Sequence, residues 1–254
     1  MLSSGLERVK RVKSWVIMLL VLVATPLIAQ VIPKVSLSIA NTSEPQDVNT
    51  ALQIVFLMTI LALAPSILIM MTSFIRLIIV FSFIRRALGL QTVPPDQVLV
   101  GLAIFLTFFI MQPTFTDIND NALQPYLAKE ISWDDGLKKA EVPMKTFMLK
   151  QVHEKDVALL LRIAHQAPPK TAMEIPMTVL IPSFMISELK TAFIFGFIIY
   201  IPFLVIDMIV SSVLMSMGMM MLPPIMISLP FKVILFVLID GWNLIIKQVV
   251  GSFF

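Results

Sequence analysis

Cysteine is absent from this sequence of 254 residues, and only two histidines occur. Without thiols there can be no disulfide, no thiolate metal site and no cysteine nucleophile. His153 and His165 fall outside any zinc-binding helical motif, and the sequence has neither a nucleophile-elbow serine nor a Gly-rich phosphate loop. No enzymatic constellation is therefore expected, and no cofactor or metal. Any ATP hydrolysis coupled to this chain must come from another protein. Charge is scarce too, at 14% of residues against roughly 25% in soluble domains. The net charge of +3 is spread over scattered bases, which speaks against a nucleic-acid surface.

What fills the space is apolar. Hydrophobic residues make up 58% of the chain, with 18 Met and 18 Phe, and the mean hydropathy of +0.93 is that of a membrane protein. A helix that crosses the hydrocarbon needs about 20 mostly apolar residues. The stretch from Pro182 to Trp242 could supply two such helices back to back, yet Glu188, Lys190, Asp207, Lys232 and Asp240 sit inside it. Each charge at a bilayer centre costs about 2.5–3.5 kcal/mol on insertion scales, so each must face a partner, a pore or water. A chain that keeps such charges belongs to a conduit or an assembly rather than to a passive anchor.

The order of segments predicts an all-α protein. Arg8, Lys10, Arg11 and Lys13 precede an apolar stretch from Trp15 to Ile28, the pattern of a signal peptide over residues 1–29 with cleavage after Ala29. Leu27 is larger than the residue usual three positions before a cut, and an uncleaved first membrane helix is the alternative. Residues 30–50 read as a polar linker. Residues 51–113 form a first hydrophobic hairpin. It comprises a spanning segment from Ala51 to Ile75, the cluster Arg76, Arg85 and Arg86, a turn at Pro94-Pro95, and an apolar run from Val98 that Pro113 should stop.

Residues 114–174 differ in kind, holding 17 of the 35 charged residues. Their apolar positions recur at helical spacing, which predicts an amphipathic insertion exposed to water. It has little apolar bulk of its own and is expected to pack on copies of itself or on partners. Residues 175–254 form a second hydrophobic hairpin, with apolar segments near 183–210 and 225–247. The basic start and the arginine cluster belong on the cytoplasmic side, so the near-neutral insertion falls on the opposite, periplasmic face.

Glu188 and Lys190 are two residues apart and do not face each other on a straight helix. Each is expected to pair with a neighbouring subunit, with simple hydration at the membrane interface as the alternative. Asp207 must find a non-local partner, Lys232 or Arg76. Met215, Met217, Met219, Met220 and Met221 surround Gly218 and precede Pro223-Pro224, which places them on a loop between two helices. Methionine is compliant enough to seal irregular gaps, and an apolar ring can close a pore by excluding water. Core packing between helices is the plainer reading of the same residues.

Two blocks carry a more specific signal. One is SFIRLIIVFSFIRRALGLQTVPPDQVLVGLAIFLTFFIMQP, residues 73–113. The other is IPSFMISELKTAFIFGFIIYIPFLVIDMIVSSVLMSMGMMMLPPIMISLPFKVILFVLIDGWNLI, residues 181–245. In order, spacing and odd features, these resemble the FliP family of flagellar export-gate proteins and its counterparts in virulence type III secretion. The resemblance implies kinked helical hairpins assembled in several copies, a pentamer, with FliQ and FliR into a funnel-shaped gate beside FlhA and FlhB. Unfolded flagellar substrates would pass through its centre, and the outer surface would meet lipid. It further implies that Met219, Met220 and Met221 form a gasket, and that Arg76, Glu188, Lys190, Asp207 and Lys232 hold the assembly together. A small ion-coupled transporter in which Glu188 and Asp207 relay protons is the competing reading, but the two halves show no inverted repeat.

Overall fold

The computed structural model describes residues 54–59, 61–63, 66, 69–219 and 221–254, and among these there are helices and turns but no strand. The expected signal peptide and linker lie outside the described residues. Met1–Phe56 and Leu57–Phe254 form separate units, and every helix from Phe74 onward belongs to the second.

Helix α1, Phe74–Ala87, buries Leu77, Val80, Phe81 and Ile84 along one stripe, the i, i+3, i+4, i+7 spacing of an amphipathic helix. After a turn at residues 88–95, α2 spans Asp96–Ile118. Arg85 ties that turn shut, donating to the Pro94 carbonyl at 3.2 Å and pairing with Asp96 at 2.6 Å. Pro113 does not end α2 as its chemistry suggested; it sits inside the helix. Proline removes one backbone hydrogen bond and crowds the preceding turn, but the apolar ladder on either side absorbs a single loss. The path continues through a π-turn, Asn119–Leu123, into the short α3, Gln124–Leu127. Asp96–Leu127 is thereby one span of 32 residues, long and apolar enough to cross a membrane.

Helix α4, Trp133–Gln151, starts from the Ser132 cap, whose hydroxyl accepts from the Asp135 amide at 3.2 Å. Helix α5, Glu154–Ile163, follows after a two-residue break. Both belong to the charged insertion, and here the structure departs from expectation. Their apolar stripe of Met144, Phe147, Met148, Val157 and Leu161 is buried in the chain's own core, against α6. The insertion lacked bulk for an independent core, but α6 supplies the opposing surface.

Helix α6, Met177–Ser216, is a single element of 40 residues containing Pro182 and Pro202. Its first half is clad by α1, α4 and α5. Its second half buries Phe203 and Leu214 but leaves Phe197, Ile201, Met208 and Ile209 exposed. The switch comes at Gly196, where a Cβ would collide with the Phe83 ring of α1; only glycine lets the two helices approach so closely. Helix α7, Pro224–Leu238, returns along α6, and α8, Gly241–Gly251, leaves it at 65°. Asp240, in the left-handed conformation with φ 50°, makes that corner. The second apolar segment is thus a broken helix pair.

Candidate functional site

Three of the five charges that hydropathy cannot excuse, Glu188, Asp207 and Lys232, are held in two nodes, with Arg76 completing the first. The first centres on Arg76, 2% exposed, in the first turn of α1. Its guanidinium meets the fully buried Glu188 of α6 in a two-pronged pair, with Nε donating to Oε2 at 2.8 Å and Nη2 donating to Oε1. This fork geometry is what makes arginine the better partner for a buried carboxylate. Nη1 donates to the Ser252 hydroxyl at 2.7 Å, and Nη2 also to Gln151 Oε1 at 3.0 Å. Gln151 in turn donates to the Phe253 carbonyl at 3.1 Å, and the Phe253 ring lies 3.9 Å beneath the guanidinium carbon, a cation–π contact. One cation therefore fastens α1, the end of α4, α6 and the segment after α8.

The second node joins the second half of α6 to α7. Lys232 Nζ donates to Asp207 Oδ2 at 2.6 Å, and the Ser228 hydroxyl donates to the other oxygen. Lys232 is 2% exposed, so its charge is satisfied inside the hairpin.

These nodes decide where each singled-out residue stands. Glu188, read from sequence as pairing across a subunit boundary, finds its partner in Arg76 of its own chain. Asp207 is paired with Lys232, one of its two candidate partners. Lys190 joins neither node; it is exposed on α6 and forms none of the ion pairs among the described residues. Gln151, Ser228, Ser252 and Phe253 were not foreseen. Ser228, a lone hydroxyl in an apolar run, was the one with a visible signal.

The methionine segment begins with Met215 in the last turn of α6, not on the loop as expected, and continues from Met217 as a loop at the tip of the α6–α7 hairpin. It turns at Gly218, whose φ of 74° favours glycine, and at Pro223-Pro224. Met215, Met217 and Met221 are 67%, 65% and 98% exposed, and Met219 is 44% exposed. Met220 lies outside the described residues. The tip is therefore not internal core: its side chains project away from the chain that carries them.

Residues 57–249 match the family described as the FliP family. The flagellar biosynthetic protein FliP of Bacillus subtilis is 54% identical over 217 residues, covering 85% of this chain and 98% of that protein. The Caulobacter vibrioides protein of the same name is 53% identical, covering 79% of this chain and 76% of its own. That of Treponema denticola is 47% identical, covering 87% and 83%.

Proposed function

This chain belongs to the FliP family and is a membrane-associated component of the flagellar export apparatus, and from that premise we propose that it is a core subunit of the type III protein export gate. Several copies, with FliQ and FliR, enclose a channel in the inner membrane at the base of the flagellum. FlhA and FlhB stand beside it, and unfolded flagellar substrates pass through. The charged insertion and much of the chain lie on the periplasmic side.

The observation that carries this reading is the exposed methionine tip. A hairpin that ends in bare, unbranched apolar side chains has nothing of its own to seal. Copies arranged around an axis would present Met219, Met220 and Met221 inward as one apolar ring. Such a ring is dry when narrow and deforms when a polypeptide threads it. The two charge nodes support the same reading from the other side. Both carboxylates in α6 are already paired with cations, as a structural role requires and a proton relay does not.

The test is replacement of all three methionines by alanine, which removes bulk without adding charge. The expected result is an assembled complex that still secretes but leaks small ions, read as membrane depolarisation in cells carrying the variant. An ion-tight membrane with an intact complex would dispose of the gasket, and loss of assembly without a leak would return the methionines to a packing role.

A further inference from the structure

The end of α6 is closed by its own backbone. The Met219 amide donates to the Leu214 carbonyl at 2.9 Å, and the Gly218 amide donates to the Met215 carbonyl at 3.0 Å. These are the two bonds that end a helix on a glycine of positive φ, and Gly218 supplies that φ. In such a cap the residue after the glycine turns back toward the last helical turn. Met219 is accordingly the least exposed of the four described tip methionines, while Leu214 is buried. The turn is therefore held by the main chain, and the side chains of Met215, Met217 and Met221 stand in the open without a part in holding it.

Five of the chain's 18 methionines fall between positions 215 and 221. Leucine or phenylalanine would make the tip as apolar, but only methionine makes it oxidisable. Exposure alone does not single out the tip, because Met173, Met208 and Met226 are exposed too, whereas Met111 and Met148 are fully buried. The tip differs in density: Met215, Met217, Met219 and Met221 set four accessible thioethers on one short turn. Oxidation turns each apolar sulfur into a polar sulfoxide. An apolar constriction excludes water only while its lining stays apolar, so the same change that spares the backbone turn abolishes the surface needed for a seal.

We propose that the methionine tip is an oxidation site, at which hydroperoxides convert Met215, Met217, Met219 and Met221 to sulfoxides and thereby unseal the gate. The sulfur lone pair attacks one oxygen of the peroxide, an S–O bond forms and the O–O bond breaks. The departing hydroxide takes the proton from the transferred oxygen and leaves as water. Sulfur gives up two electrons and the peroxide gains them. The unsealing rests on the gasket reading; the oxidation does not.

The test treats the complex, extracted in neutral detergent, with hydrogen peroxide and reads sulfoxide at each methionine by peptide mass spectrometry. The tip methionines should gain oxygen roughly tenfold or more faster than Met111 and Met148. In cells, a peroxide pulse should depolarise the membrane, and the leak should rise with tip sulfoxide over a series of doses. With Met215→Leu, Met217→Leu, Met219→Leu, Met220→Leu and Met221→Leu combined, peroxide should leave the leak unchanged, whatever its resting value. Tip methionines oxidised no faster than Met111 and Met148 would overturn the site. A leucine variant that responds as the wild type does would overturn the unsealing. Oxidation of the tip with no leak would overturn it as well, and the alanine variant then shows whether the gasket fell with it: if that variant leaks, the gasket stands and only the oxidation switch is lost. If the leucine variant does not assemble, the dose series decides, since a leak that follows Met173 sulfoxide rather than tip sulfoxide refutes the proposal.

Discussion

Removing the Glu188 carboxylate is the sharpest perturbation the first node allows. In Glu188→Ala, Arg76 keeps the neutral acceptors Gln151 and Ser252 and the ring of Phe253, but loses the only counter-charge it has among the described residues, at a site 2% exposed. Breaking a buried ion pair on one side costs about 3–5 kcal/mol, because the surviving charge is left uncompensated. For a chain of this size each kcal/mol moves the unfolding midpoint by about 2–4 °C, so a fall of roughly 6–20 °C is expected. Thermal aggregation of the detergent-purified protein measures it, with abundance in cells as a second readout. The double variant Arg76→Met/Glu188→Met removes both charges and refills the space, and such replacements of buried pairs are often close to neutral. It should therefore recover at least half of the loss. The reasoning fails if the single variant shifts the midpoint by less than about 2 °C, or if the double variant is no better than the single.

Two further outcomes are expected. Gly196→Ala should destabilise the chain by about 1–3 kcal/mol through overpacking against Phe83, and adding Phe83→Leu should restore most of the midpoint; no recovery would mean that the glycine serves something other than this contact. Ser132→Ala should shorten α4 at its start, a loss of about 1 kcal/mol for a helix cap, seen as faster amide exchange over residues 133–137. The Ser132 hydroxyl also holds the Asp135 carboxyl below the ordinary carboxylate range, with Lys138 and Lys139 assisting. A carboxyl with a lowered folded value contributes stability above its unfolded value and loses it as pH falls through the folded one. The difference between wild type and variant should accordingly shrink in acid, and a gap that widened instead would reverse the assignment.

The legible part of this fold was its apolar runs and its punctuation. The breaks at Gly89 to Pro95 and Gly218 to Pro224 lie in local sequence, and local sequence fixes turns. Pro113 misled because the cost of one proline is a local rule, whereas the helix through it is stabilised over its whole length. The insertion misled for a related reason. Its stripe of Met144, Phe147 and Leu161 predicts that something covers it but not what, and the cover proved to be α6 of the same chain. The Arg76 node was half visible. A buried arginine announces the need for a carboxylate, but Gln151, Ser252 and Phe253 reach it from positions far apart in sequence, and no spacing rule connects them.

Helix α6 is clad by α1, α4 and α5 along its first half and leaves most of its large apolar side chains exposed beyond Gly196, where α7 runs beside it, and that asymmetry has a mechanical consequence. The roughly 20 residues from Gly196 to Ser216 make an arm about 30 Å long at 1.5 Å per residue. Turning such an arm by about 10° at its root moves the tip sideways by about 5 Å, roughly the width of an extended backbone. The Asp207–Lys232 node lies along this length and ties α6 to α7, and Lys232 also borders Gly89 in the turn after α1, so α7 and that turn brace the arm part-way to the methionine tip.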